Sequence, residues 1–270
     1  MTTAATASTA SSDPLVLLRD ADGVVTLTLN RPAQFNALSS ALLTELQDAL
    51  DGIAENHSVR VVVIAGAGPA FCAGHDLKEM RASRDPGVIE DLFKRCSRMM
   101  MTLVEIPQPV IARVHGIATA AGCQLVAGCD LAVASTEARF ATSGVNLGLF
   151  CSTPGVALGR DMPRKQAMEM LLTGDFIDAQ TALKQGLVNR VAPPAQLDSE
   201  VMKLAAAIKG KSRAAVSLGK RTFYKQLEMN MEQAYQYANQ VMASNMMDDD
   251  AAEGIDAFIQ KRPPKWREAD

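Results

Sequence analysis

The first half of the chain alternates short strand-like runs with longer segments that have helical periodicity. Strands are predicted at residues 24–29, 61–65, 110–114 and 131–134. Helices are predicted between them at about 39–53, from about 76, at 88–104 and at 116–127. Residues 61–65 are continuously apolar, a pattern typical of a strand that is covered on both faces. Strands that alternate with helices indicate an α/β fold.

From about residue 164 onward the pattern is mostly helical. Helices are predicted at 165–173, 179–185, 196–209, 212–225, 231–246 and 251–260. Gly186 is a typical C-terminal cap for the second of these helices. The residues before 14 are rich in threonine, alanine and serine, a composition typical of a disordered tail. We therefore expect a tail at 1–13, a core at 14–195 and a C-terminal helical region at 196–270.

Composition argues against several classes of protein. The formal net charge of −3 provides no basic field for nucleic acid, and no apolar run approaches the roughly 20 residues of a membrane helix. Residues 1–12 lack both the apolar stretch of a secretory signal and the arginines of a mitochondrial presequence, which predicts a cytoplasmic protein. The five cysteines form no Cys-x-x-Cys pair and the three histidines are widely separated, so we expect reduced thiols and no metal site.

Two loops rich in small residues follow predicted strands and lead into predicted helices. The first loop, Phe71 to Lys78, comes after the strand at 61–65, and the second, His115 to Gln124, comes directly after the strand at 110–114. Ligands of α/β sheets bind preferentially at the carboxyl ends of the strands. A helix start also offers free backbone N–H groups and positive dipole character. The two loops therefore predict a shared ligand site.

Five stretches resemble the crotonase (enoyl-CoA hydratase/isomerase) family in their order and spacing, and the resemblance extends from about residue 24 to 267. They are Leu29–Pro32, Phe71–Met80, Gly116–Asp130, Leu171–Gly174 and Gly186–Val188. Residues 144–158, 216–220 and 222–226 resemble one subgroup of that family. The resemblance implies a spiral of ββα units, with a C-terminal helical region that forms homotrimers or dimers of trimers.

The same resemblance implies an acyl-CoA thioester as the ligand, with coenzyme A carried as part of the substrate and no separate cofactor. By position, the backbone amides of His75 and Ala121 would form an oxyanion hole that stabilises charge on the thioester oxygen. Ala73 and Leu77 would line the adenine pocket, and Lys78 would reach a phosphate of coenzyme A. The His75 ring is expected at the mouth of the pocket.

The chain departs from the family pattern at both catalytic carboxylates. Hydratases of the family carry one glutamate where this chain has Gln124, and a second where it has Gly144, twenty residues later. The Gln124 amide has no proton to exchange near neutral pH. Gly144 has no side chain, so we expect empty space at that position and no reactive group. Replacement groups are expected in the neighbouring loop, where only a cysteine titrates near neutrality, provided that its surroundings lower its pKa. These groups are Ser143, Asn146, Cys151 and Ser152.

Two classes of function follow from these observations. The first is an enzyme of the lyase or isomerase class that stabilises a thioester enolate but hydrates feebly, since both glutamates are replaced. Other reactions of the family, namely thioester hydrolysis, decarboxylation and isomerisation, share the same oxyanion step. The second is a sensor or carrier of CoA esters without turnover. Binding of nucleic acid or of a membrane is not expected.

Overall fold

A computed structural model describes residues 13–267, which form two β-sheets covered by helices. The strands are β1 (Val16–Ala21), β2 (Val24–Leu29), β3 (Val61–Gly66), β4 (Ala70–Cys72), β5 (Val110–Val114), β6 (Ile117–Thr119), β7 (Leu131–Ser135), β8 (Arg139–Ala141), β9 (Ile177–Asp178) and β10 (Arg190–Ala192). The helices are α1 (Ser40–Glu55), α2 (Leu77–Ala82), α3 (Pro86–Glu105), α4 (Ala121–Gly128), α5 (Ser152–Asp161), α6 (Arg164–Thr173), α7 (Ala179–Lys184), α8 (Leu197–Lys209), α9 (Arg213–Leu227), α10 (Met231–Asn245) and α11 (Asp249–Ile259).

Successive turns of the chain place one strand in each sheet and then add a helix. Strands β3, β5 and β7 lie in the sheet ordered β1-β2-β3-β5-β7-β10, while β4, β6 and β8 lie in the sheet ordered β4-β6-β8-β9. The β1–β2 and β8–β9 pairs are antiparallel, and the other pairs are parallel. This repeat of ββα units is the predicted spiral α/β fold.

The strand β3 is covered on both faces, as its continuous apolar run predicts. Val62 and Ile64 belong to the main core, which also contains α1, α3 and α4. Val61 and Val63 point to the opposite face, where they pack with Leu197 and its neighbours on α8. Burial on both sides removes apolar area from water along the whole strand, which stabilises the centre of the sheet.

A buried ion pair attaches α9 to the core. Lys220 Nζ lies 2.8 Å from Asp130 Oδ2 and donates hydrogen bonds to the carbonyls of Leu103 and Gln108, at 2.6 and 2.9 Å. The same Asp130 oxygen accepts from Val110 N at 2.6 Å. Large apolar side chains on α9 to α11 and at their ends remain exposed in this single chain. They include Phe223, Leu227, Met231, Tyr235, Met242, Met247, Phe258 and Ile259.

Several short elements differ from the sequence prediction. The strand β6 occupies Ile117–Thr119, within the segment predicted as one helix at 116–127. It pairs in parallel with β4 and β8, so tertiary contacts rather than local periodicity establish it. Strand β1, helix α5 and the short strands β4, β8, β9 and β10 were not predicted either. Runs of two or three residues are too short to show a strand period.

Within residues 13–267, no helix combines the length and apolar character needed to cross a membrane. No group of three or more histidine, cysteine or acidic side chains in this range is arranged to hold a metal ion. The predicted tail at 1–13 lies outside the described residues except for Asp13.

Candidate functional site

The two predicted loops lie against each other at the start of α4. Gly74 has a φ of +90°, and a Cβ built on it would lie 3.0 Å from the carbonyl oxygen of Thr119 and 3.2 Å from the backbone nitrogen of Ala121. A Cβ on Gly122 would lie only 2.0 Å from the carbonyl oxygen of Cys72. Real side chains do not tolerate such a distance, so this close approach of α4 to β4 requires glycine.

A single residue separates β6 from α4. Ala120 has φ 51° and ψ −120°, a backbone conformation that residues with a Cβ rarely adopt. Its N–H donates to the carbonyl of Ala141 on β8 at 2.9 Å, which holds the strained residue in place. Strain of this kind persists where the surrounding structure over-determines the backbone, and it occurs preferentially at functional sites.

Two backbone amides near this junction have no acceptor. Neither His75 N–H nor Ala121 N–H donates a hydrogen bond to any group within residues 13–267. The His75 loop pairs with Leu38 through two backbone hydrogen bonds, in which Leu38 N–H donates to Gly74 O at 2.7 Å and Asp76 N–H donates to Leu38 O at 3.2 Å. The His75 amide takes part in neither bond. Ala121 is the first residue of α4, where an amide has no partner within the helix. These are the two amides that the sequence predicts as oxyanion donors, and they lie on adjoining loops.

An ion pair and a helix cap hold the loop that carries His75. Arg31 Nη2 lies 2.9 Å from Asp76 Oδ2, while Asp76 Oδ1 accepts from the backbone amides of Lys78 and Glu79 at 3.0 and 3.3 Å. Burial alone would raise the pKa of Asp76, but these hydrogen bonds and the Arg31 charge outweigh it and lower the pKa. Asp76 therefore stays ionised and keeps the loop attached. Arg31 was not among the residues predicted to act at the site.

The ring of His75 packs on α3. It contacts Phe93 edge-to-face, with 5.2 Å between ring centroids and 89° between planes. Neither ring nitrogen has a hydrogen-bond partner within the described part of the chain. Burial lowers the pKa of His75, although the Leu38 carbonyl and the Glu79 charge act in the opposite direction. The ring is consequently uncharged at neutral pH.

Gln124 lies on the face of α4 that begins with Ala121, three positions earlier. Its side chain is only 5% exposed, and Oε1 is buried with no hydrogen-bond partner among residues 13–267. Side chains of a helix tilt toward its N-terminus, so the amide of Gln124 is directed back toward the free N–H groups. Gln47, Gln108, Gln166 and Gln185 have a side-chain oxygen in the same condition, so the unpaired oxygen alone does not identify a ligand site.

Gly144 does not leave the space that its small size suggests, so this expectation was wrong. A Cβ on Gly144 would lie 2.5 Å from the carbonyl oxygen of Leu149 and 2.7 Å from Cys151 Sγ. Cys151 is only 8% exposed. Burial raises the pKa of its thiol, and the hydrogen bond with the Gly144 backbone opposes the shift only in part. Cys151 is therefore protonated at neutral pH and is not available as a base.

The other predicted residues lie near the surface. Asn146 is exposed, and its Nδ2 would lie 2.8 Å from a Cβ on Gly174, at the end of α6. Ala73 is half-buried before the His75 loop, whereas Leu77 and Lys78 are exposed at the start of α2. These last three residues border the site on the side where α2 begins. Their roles toward coenzyme A stay predictions.

Comparison with known proteins identifies the family. Residues 19–269 match the family model for enoyl-CoA hydratase/isomerase. The mitochondrial enoyl-CoA hydratase domain-containing protein 3 of Mus musculus is 49% identical over 94% of this chain and 85% of that protein. The human counterpart is 50% identical, over 92% and 82%. The prediction of a cytoplasmic location is wrong by this comparison, because these relatives are named as mitochondrial proteins.

Solved structures of enoyl-CoA hydratases also resemble this chain closely. An enoyl-CoA hydratase from Mycobacterium smegmatis is 58% identical, with a TM-score of 0.92 over 94% of this chain and 99% of that chain. Human enoyl-CoA hydratase domain-containing protein 3 is 49% identical, with a TM-score of 0.91 over 93% and 100%. From its fold and sequence alike, this chain belongs to the crotonase (enoyl-CoA hydratase/isomerase) family.

Proposed function

We propose that this protein binds an acyl-CoA thioester at the start of α4 and polarises its carbonyl with the backbone amides of His75 and Ala121. The observation that carries this proposal is the pair of unoccupied N–H donors on adjoining loops. The α4 dipole adds positive potential at the same place. Charge that develops on a thioester oxygen is stabilised most by donors that are already fixed in position. The Arg31–Asp76 pair and the strained Ala120 provide that rigidity.

The chemistry that fits this site stabilises a thioester enolate or oxyanion without a carboxylate base. Gln124 holds a neutral amide where hydratases carry their first glutamate, and Gly144 has no side chain at the second position. The Cys151 thiol stays protonated, so it does not replace either group. We therefore propose a lyase or isomerase of this family that hydrates 2-enoyl esters feebly, if at all. Thioester hydrolysis, decarboxylation and isomerisation are the alternative reactions that use the same donors.

A non-catalytic sensor or carrier of CoA esters is the second candidate. The crowding at Gly144 favours it, because the backbone itself closes the position of the second carboxylate. Such a protein would keep the binding amides and the residues that border them, including Ala73, Leu77 and Lys78. It would bind esters tightly and release them unchanged.

The exposed apolar faces of α9 to α11 support assembly as a homotrimer or a dimer of trimers. Large apolar side chains that are exposed together on neighbouring helices are typical of an interface between proteins. Light scattering coupled to size-exclusion chromatography measures the mass directly. A monomer at micromolar concentration would contradict this part of the proposal.

Incubation with a panel of acyl-CoA esters in D2O, followed by mass spectrometry, tests the function. A gain of water, loss of the acyl group, loss of carbon dioxide or uptake of deuterium each identifies a reaction class. Ala121→Val should abolish both turnover and tight binding, because it crowds the donor at the α4 start. Ala127→Val is the matched control, since Ala127 is also buried on α4 but lies away from its start. Esters that bind without change would favour the carrier, and no binding at all would refute both functions.

A further inference from the structure

We propose that Arg60 and Arg213 form a second binding site, which takes free phosphate or the phosphate group of a small molecule. This site lies away from the start of α4. Arg60 directly precedes β3, whereas the loop that carries His75 follows the far end of β3 and then β4. The six residues of β3 span about 20 Å at the usual rise per residue. The inference therefore goes beyond the proposed function and does not depend on it.

Arg60 and Arg213 are half-buried arginines without a carboxylate partner. Every other half-buried arginine of residues 13–267 forms an ion pair, whereas these two form none and line the same cleft. The paired arginines are Arg31, Arg113, Arg190 and Arg262. A cation that is partly removed from water without a partner is costly, and two neighbouring cations repel each other. An anion between them would remove both costs.

The Arg60 guanidinium is held against the segment that leads into α9. Its Nη2 donates to Lys211 O at 2.7 Å, two residues before Arg213. Burial and then the charge of Arg213 lower the pKa of Arg60, while the charge of Asp250 acts in the opposite direction. The Asp250 carboxylate forms no ion pair with either arginine in the described part of the chain, and its Oδ1 accepts from Arg267 N–H at 2.9 Å. The positive charge of the pair is therefore left without a direct counterion.

Arg213 is the first residue of α9, where a positive side chain is unfavourable. Ser212 caps this helix, with its Oγ accepting from Ala215 N–H at 3.1 Å. The first N–H groups of a helix have no acceptor within it, and the positive end of the helix dipole lies there. The first turn of α9 contains no acidic residue to balance that potential. The dipole thus adds to the charges of Arg60 and Arg213, and all three favour an anion.

A phosphate group fits the cleft in size and in charge. The free volume is about 10 Å³, which is room for roughly one water-sized group, so one oxygen enters and the rest of the anion stays at the mouth. Each guanidinium presents a planar fork of donors that matches an oxyanion. A phosphate group carries about 1.5 to 2 negative charges near neutral pH, which balances two arginines better than a single carboxylate does. The apolar walls strengthen these interactions by excluding water, and they include Val59, Ile208 and Val216.

Titration calorimetry with sodium phosphate tests the inference, with sodium chloride of the same ionic strength as the reference. Arg213→Met keeps an apolar stem but removes the charge, so it should weaken phosphate binding about tenfold or more, the ratio that corresponds to one charge-assisted hydrogen bond. Arg213→Lys keeps the charge without the fork and should retain part of the affinity. Arg221→Met makes the same change at an exposed position of α9 and should leave the affinity unaltered. Ribose 5-phosphate distinguishes the two sources, because only a site for phosphorylated molecules should bind it more tightly than phosphate.

The refuting results concern this site and leave the proposed function untouched. Phosphate that binds no better than chloride, or binding that Arg213→Met leaves intact, would overturn the inference. Thermal unfolding is an independent check. Without phosphate, Arg213→Met should melt no lower than the native protein, because it relieves repulsion; a marked decrease would mean that Arg213 has a structural partner and would also overturn the inference. Added phosphate should raise the melting temperature of the native protein and of Arg221→Met more than that of Arg213→Met.

Discussion

Substitution of Gly144 tests whether the backbone itself excludes a side chain at this position. A Cβ at this position would lie 2.5 Å from Leu149 O and 2.7 Å from Cys151 Sγ. The Leu149 carbonyl cannot easily move aside, because Leu149 N–H donates to Gly144 O at 2.9 Å and closes the same turn. Even Gly144→Ala should therefore force a backbone shift, and Gly144→Glu should require a larger one.

The expected cost follows from overpacking of a well-packed site, which is typically about 1–3 kcal/mol. Two contacts far below van der Waals distance place Gly144→Ala in the upper half of that range, at about 2–3 kcal/mol. In a chain of this size each kcal/mol lowers the melting temperature by about 2–4 °C, so a loss of about 4–12 °C is expected. Cys151→Ala removes the sulfur contact but not the carbonyl contact, so the double variant should recover only part of the loss.

Urea and thermal unfolding measure these differences, with Gly159→Ala as the control. A Cβ on Gly159 in α5 would meet no atom within 4 Å, so this substitution should be neutral or stabilise by about 0.4–1 kcal/mol. If Gly144→Ala proved as stable as Gly159→Ala, the packing argument would be refuted. Rapid hydration of crotonyl-CoA by the Gln124→Glu/Gly144→Glu variant would refute it as well, since that result requires room for a carboxylate at 144.

Three further predictions concern the core and its titrating groups. Lys220→Met should lower the free energy of unfolding by about 3 kcal/mol, because it leaves the Asp130 carboxylate, whose side chain is only 14% exposed, without its cationic partner, and urea unfolding would show the loss. The five cysteines are buried, so they should react slowly with a thiol reagent in the native protein and completely in urea; one fast native thiol would contradict the burial of Cys151. Stability should fall as the pH drops below about 6.5, because burial lowers the pKa of His75 in the folded protein. In that pH range the His75 ring binds a proton in the unfolded chain but remains neutral in the folded chain. Urea unfolding at pH 8 and 5.5 measures this pH dependence, and His75→Gln should weaken it. If the free energy of unfolding of His75→Gln changed with pH as much as that of the native protein, the assignment to His75 would be wrong.

Most of the long elements could be predicted from the sequence because burial leaves a periodic pattern in them, whereas β1, which is mostly exposed, and α5 were missed. The apolar run of β3 reflects two covered faces, and the periodicity of α1 reflects one buried side. The strand β6 could not be predicted in the same way. Its three residues are held by parallel partners on both sides, β4 and β8, and nothing in Ile117–Thr119 itself distinguishes a strand from the start of a helix.

The candidate site shows the same division between local pattern and tertiary packing. Its loops could be located from the sequence, since small residues between a strand and a helix are a local signal. The crowding at Gly144 could not, because it depends on a carbonyl and a sulfur that return from positions 149 and 151. The contribution of Arg31 could not be predicted either, because Arg31 lies 45 residues before its partner Asp76.

Positions 124 and 144 differ in how easily each could carry a glutamate. Gln124 has the same length as a glutamate, so Gln124→Glu changes the end of one buried side chain without altering the backbone. A carboxyl group in that position, without a cationic partner, should have a raised pKa, which is the condition for exchanging protons near neutrality. Position 144, by contrast, is closed by Leu149 O, and no substitution there adds a carboxylate without moving the loop. One substitution at position 124 could therefore add a carboxylate to the site, whereas a carboxylate at position 144 would require the loop to move. In its present form the Gln124 amide can form hydrogen bonds but cannot move a proton.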